Sequence, residues 1–167
     1  MREVILALDA GGTSIKAGIL RGEEIIAERS FAFRSEEREQ MLSVFRQALA
    51  WGRDYGPVCL GVACPGPFDF ARGVSHMRHK WRGLMDVPLP SVFARELPGV
   101  PVRFLHDSTA FLLGEAWQGA ARDMENPAGV MLGTGFGFTV MQRRRVLVDA
   151  NGTPAVVLWN APFRDGT

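Results

Sequence analysis

Two stretches of this chain follow one plan. LALDAGGTSIKAGILRGEEII (6–26) and GVMLGTGFGFTVMQRRRVLV (129–148) each run through an apolar segment, a turn with glycine and threonine, a second segment, a charged turn and a third segment. In the first copy Ile15, Ala17 and Ile19 alternate with Lys16 and Gly18, which is the period of a strand and not of a helix. Each copy is therefore expected to be a three-stranded antiparallel meander, and repetition of such a unit points to two domains built alike. The same pattern argues against two phosphate sites of other folds. A P-loop and a dinucleotide fingerprint both need a helix after the glycines, and GGTSIKAG has neither the Gly-Lys-Ser/Thr ending nor the G-x-G-x-x-G spacing.

Between the copies, helical and strand patterns alternate. Residues 3–9 read as a central strand ending in Asp9. Ser35 is expected to cap a helix that begins at Glu36, carries Met41, Leu42, Phe45, Ala48 and Leu49 on one face, and ends at Gly52. PVCLGVACPGPFD (57–69) reads as a buried strand running into a turn, 71–86 as irregular and basic, 89–97 as helix, and VPVRFLHD (100–107) as strand. A helix is expected over 108–121, capped by Asp107 or Ser108, and DMENP (123–127) reads as a linker. The fold class is α/β: a mixed sheet in which the meander is followed by alternating helices and strands. A first domain is expected over 1–122, a linker over 123–127, and the start of a second, incomplete domain of similar build over 128–167.

A chain of 167 residues that is 47% hydrophobic and 22% charged has the composition of a packed globular domain. Its net charge of +1 gives no electrostatic reason to expect a nucleic-acid partner, and no apolar run approaches the roughly 20 residues of a membrane span. REVILALD opens on a strand pattern with an acid inside it, unlike a secretory leader. The only cysteines, Cys59 and Cys64, are five apart, so a strand puts them on opposite faces. They read as buried free thiols of a cytoplasmic protein.

A hairpin turn of glycine and threonine can offer backbone N–H groups and a hydroxyl to phosphate oxygens. Two such turns across a cleft would hold a polyphosphate from both sides, Asp9 would orient Mg2+ through water, and Lys16 would add positive charge. A plain hairpin is the alternative for either turn alone. Asp107 stands where a strand gives way to a helix, which suits both a cap and a carboxylate at the mouth of a sheet. In HMRHKWRG (76–83), His79 and Lys80 are candidates to meet a sugar and Trp81 to stack on it, whereas Arg78, Arg82 and the QRRR turn (142–145) read as solvated.

Four motifs in order, LALDAGGTSIKAGIL, GVACPGPFD, LHDSTAFLLGEAWQGA and VMLGTGFGFTVM, resemble the ROK family of bacterial sugar kinases and sugar-responsive repressors. That family belongs to the actin-like, hexokinase-like superfamily, with a ribonuclease H-like domain. The resemblance spans nearly the whole chain and the N-terminal part of a typical member. It implies a first phosphate loop of Asp9, Gly11, Gly12, Thr13 and Lys16, and a second of Gly133, Thr134 and Gly135. It implies that Asp107 is the base that takes the proton from a sugar hydroxyl attacking the γ-phosphorus of ATP. Gly66 would line the sugar side. His106 stands where the family usually has asparagine, and Thr109 where a second asparagine is frequent; either can hydrogen-bond a sugar hydroxyl. Implied cofactors are ATP and Mg2+, and implied partners are a sugar and ATP; separately, the apolar strands at 128–148 are expected to associate with further copies of the chain in a homo-oligomer, and neither nucleic acid nor membrane is an expected partner. The family's cysteine-rich zinc motif and its histidine-glutamate sugar motif do not occur, so no zinc site is expected. Val157 holds the place of a glutamate in one family branch, which implies a lost sugar ligand. The resemblance therefore implies a hexose-type kinase, with a non-catalytic or truncated sugar- or phosphate-binding module as the alternative.

Overall fold

A computed structural model describes residues 2–34, 36–78, 80–132, 135–156 and 158. By compactness the chain divides into two units, Met1–Leu105 and His106–Thr167. This counts the helix that starts at Asp107 with the second meander, whereas the division expected at 122 counts it with the first.

In the first unit, β1 (Val4–Ala10), β2 (Ser14–Arg21) and β3 (Glu24–Ala32) form the antiparallel meander. The alternation of β2 is realised directly: Ile15, Ala17 and Ile19 are buried and Lys16 is exposed. After α1 (Arg38–Arg53), β4 (Cys59–Cys64) returns parallel to β1. A small hairpin, β5 (Phe68–Asp69) and β6 (Val74–Ser75), a 3₁₀ turn at Arg82–Leu84 and α2 (Leu89–Glu96) lead to β7 (Val102–His106). The sheet order is β3-β2-β1-β4-β7, so the strand ending in Asp9 is central in a mixed sheet. Leu6, Leu8, Ile15, Ile19 and Leu60 of the sheet share a core with Met41, Phe45 and Leu49 of α1. Phe45 is its hub, with ring centroids 5.7 Å from Trp81 and 5.5 Å from Phe93. Removing each such side chain from water contributes about 1.5–3 kcal/mol.

Three local expectations are corrected. Helix α1 starts at Arg38 with Glu37 in the capping position and no side-chain cap bond, two residues later than expected; Ser35 lies outside the described residues. Gly52 does not end α1 but lies within it, because a Cβ there would overlap Leu6, so glycine lets the helix approach β1. The left-handed residue beyond the helix is Gly56, at φ +64°. Cys64 is buried as expected, but Cys59, on the other face of β4, is half-buried; neither forms a disulfide.

In the second unit, α3 (Asp107–Gln118) is followed by β8 (Ala128–Leu132), β9 (Phe136–Gln142) and β10 (Arg145–Val146), in sheet order β10-β9-β8. Leu112 and Ala116 of α3 share a small core with Ala121 and Met141. Gly129 lets β8 approach the helix, since a Cβ on it would lie 3.2 Å from Leu112 Cδ1. The other face of the meander pairs Ala128 with Val140, Val130 with Phe138 and Leu132 with Phe136. The QRRR stretch is the solvated hairpin turn expected, with all four residues exposed. Arg143 and Arg144 take left-handed φ values of +50° and +60°, which folds the hairpin tightly. The Arg144 guanidinium is then held, donating to Ala116 O at 3.0 Å, Arg122 O at 2.7 Å and Met124 O at 3.2 Å. It serves carbonyls at and beyond the end of α3, where a helix leaves them without partners. Among the described residues, no helix is long and apolar enough to cross a membrane.

Candidate functional site

The first glycine turn joins β1 to β2. Gly11 N–H donates to Ser14 O at 2.9 Å, which closes the turn. Phe33 N–H donates to Thr13 O at 2.8 Å. The Trp81 indole N–H donates to Gly11 O at 2.9 Å. Three carbonyls are thus drawn back into the protein. Gly12 and Thr13 are exposed, and among the described residues their N–H groups have no partner.

Neither backbone conformation nor packing requires the glycines here. Gly11 and Gly12 lie outside the left-handed region, and a Cβ would meet only Ser14 O at 3.6 Å from Gly11 and Lys80 Cδ at 3.7 Å from Gly12. Gly135, in the second turn, is likewise outside the left-handed region, with open space where a Cβ would stand. A bare backbone with outward N–H groups suits the close approach of an anion. Beside the first turn, Asp9 pairs in register with Lys16 across β2 and with Ala63 across β4, and both Asp9 and Lys16 are exposed. No group of three His, Cys, Asp or Glu side chains among the described residues could hold a metal ion. A magnesium ion at Asp9 would therefore draw its other ligands from phosphate and water, which is its ordinary preference.

In the second unit, His106 is the N-cap of α3. Asp107 Oδ1 accepts from Ser108 N–H at 2.7 Å and lies 2.9 Å from His106 Nδ1. The same His106 nitrogen is 2.9 Å from Ser108 Oγ. One oxygen of Asp107 is therefore anchored, while Oδ2 has no partner among the described residues. The Asp107 side chain is 32% exposed. Ser108 is fully buried and packs on the second meander: a Cβ on Gly137 would lie 3.4 Å from Ser108 Cβ. The start of α3 is thus set beside the hairpin whose turn contains Gly135.

The remaining candidates fall out differently. Gly133, Thr134, His79 and Val157 lie outside the described residues. Gly66 is half-buried and followed by a cis peptide to Pro67. Thr109 is 3% exposed, its hydroxyl buried without a partner among the described residues. Lys80, read from the sequence as a sugar contact, is half-buried with its stem against Gly12. Trp81 is not a stacking platform: it is 1% exposed, with Phe33 and Phe45 packed on its ring. Its link to Gly11 is the feature that the sequence pattern missed, because a tryptophan in a basic stretch carries no mark of a partner so far away in the chain.

The family model described as ROK family matches residues 5–155. A beta-glucoside kinase of Listeria monocytogenes is 30% identical over 134 residues, covering 80% of this chain and 45% of that protein. A glucokinase of Thermotoga maritima is 25% identical over 154 residues, covering 90% of this chain and 48% of that one. The crystal structure of a ROK hexokinase from Thermus thermophilus superposes with a TM-score of 0.75 at 30% identity, over 89% of this chain and 50% of that chain. The chain spans about half the length of the curated relatives it matches. On this evidence the chain belongs to the ROK family and has its actin-like α/β fold.

Proposed function

We propose that this chain carries the phosphate turns and the base of an ATP-dependent sugar kinase acting on a hexose-type substrate. The observation that carries this reading is the first turn: glycines the fold does not need, three carbonyls drawn inward and two N–H groups left outward. The kinases among the relatives supply the reaction class. In this reading Gly12 and Thr13 donate to phosphate oxygens and Lys16 offsets their charge. Gly133, Thr134 and Gly135 do the same from the second turn. Gly66 and His106 border the sugar, with His79 from the basic stretch. Mg2+, held by Asp9 through water, neutralises phosphate charge when bound.

The proton chemistry rests with Asp107. Ser108 N–H and His106 fix Oδ1, which sets the orientation of the carboxylate and leaves Oδ2 to accept the proton of the attacking hydroxyl. Catalysis of this kind rests on positioning and charge neutralisation rather than on a covalent intermediate. ATP as donor makes the cytoplasm the expected compartment.

The test is a screen of hexoses and β-glucosides with MgATP, reading ADP release, on the chain and its Asp107→Asn variant. Asparagine retains an acceptor for Ser108 N–H but cannot take the proton, so turnover should vanish while the thermal midpoint barely moves. Comparable turnover in the variant would remove Asp107 from the role of base. Sugar or phosphate binding without turnover in the unmodified chain would favour a binding module.

A further inference from the structure

We propose that Lys80 and Trp81 form the rear wall of the first glycine turn, Trp81 as a positioning residue and Lys80 as a direct ligand of the phosphate bound there. The inference rests on the phosphate reading of that turn and assigns it two residues from a distant part of the chain.

Trp81 is built to hold a position. It is 1% exposed, it takes a left-handed φ of +52°, and its ring centroid lies 6.4 Å from Phe33 and 5.7 Å from Phe45. A ring so confined sets its indole N–H as firmly as a backbone donor. That N–H takes Gly11 O at 2.9 Å. The consequence is electrostatic. Gly11 O stands next to the outward N–H groups of Gly12 and Thr13, and a carbonyl free to rotate toward an anion repels it. Held by Trp81, the oxygen stays behind the turn and does not face the anion. Phe33 N–H does the same for Thr13 O, as part of the meander. Trp81 is the side chain that does it.

Lys80 follows from its covalent link to Trp81. Its Cδ lies 3.7 Å from the place where a Cβ of Gly12 would stand, so its stem runs along the bare side of that glycine. The ammonium is two bonds farther on. Lys80 is half-buried, and no ion pair holds it among the described residues. A lysine whose apolar stem is covered and whose charge is not committed acts as a point charge for a phosphate at the turn. A methyl group on Gly12 would make only ordinary contact with that stem.

The test uses the 167-residue chain and inorganic tripolyphosphate, followed by ¹H–¹⁵N spectra. In the unmodified chain the Gly12 and Thr13 amides and the Trp81 indole resonance should shift as the probe is added. Lys80→Met keeps the stem and removes the charge; affinity should fall about tenfold, with a shallower salt dependence and an unchanged thermal midpoint. Trp81→Phe keeps an aromatic ring and removes the donor; affinity should also fall about tenfold. Phe45→Leu thins the same aromatic cluster without touching the indole N–H, so it should lower the thermal midpoint yet bind tripolyphosphate as the unmodified chain does. Undiminished affinity in Lys80→Met or in Trp81→Phe overturns the role given to that residue, as does a loss in Phe45→Leu equal to that in Trp81→Phe. If the Gly12 and Thr13 amides of the unmodified chain do not respond, the phosphate reading of the turn falls, and this inference with it.

Discussion

A Cβ on Gly83 would lie 2.6 Å from Arg38 N and would overlap Glu36 O, because the 3₁₀ turn is pressed against the start of α1. Arg38 Nε reinforces that contact by donating to Gly83 O at 3.0 Å. Gly83→Ala must push two backbone segments apart, and we expect a loss of about 1–3 kcal/mol in urea denaturation. Gly12 is the contrasting case. Its surroundings leave room for a methyl group, so Gly12→Ala should change stability by less than about 0.5 kcal/mol. The same methyl group stands on the bare backbone that we propose meets phosphate, and calorimetry should show weakened tripolyphosphate binding. Equal losses of stability in the two variants would mean that both glycines are structural.

At the scale of elements, Arg144 ties the β9–β10 turn to the end of α3. Arg144→Ala leaves the carbonyls of Ala116, Arg122 and Met124 without that donor and should cost about 1–3 kcal/mol. Arg143→Ala, next to it in the same turn, removes an exposed side chain and should cost less than about 0.5 kcal/mol. Chemical denaturation of the pair decides whether the turn is a fastening or only a charged loop. The two residues also show what sequence can disclose. Strand period and turn residues reveal an element whose partners are its neighbours in the chain, so both meanders were legible from alternation and glycine alone. The spacing of Met41, Phe45 and Leu49 revealed α1 for the same reason, and Asp107 stood out because a strand pattern ends where a helix pattern begins. Trp81 and Gly52 were misread, and the bonds of Arg144 were not foreseen, because their roles are set by Gly11, Leu6 and the end of α3, contacts that no local pattern encodes. An apolar ring among basic residues reads as a binding platform until its burial is known.

For the molecule as a whole, the outward face of the second meander is the feature that bears on behaviour in solution. Val130 is 49% exposed, Leu132 82% and Phe136 42%, and they stand in register on two neighbouring strands. A continuous apolar face of this kind favours association, and a second copy of the chain is the occupant we expect. Sedimentation should show a dimer or larger species, and Leu132→Asp should shift the distribution toward monomer without lowering the thermal midpoint. A monomer at every concentration would set this expectation aside. The bond between Trp81 and Gly11 has a consequence in time. It joins residues 70 positions apart. At a synthesis rate of roughly 5–20 residues per second, the glycine turn is made roughly four to fourteen seconds before the tryptophan that shapes it. During that interval no indole holds the Gly11 carbonyl back, so the turn takes its final form only after 81 of the 105 residues of the first unit have been made.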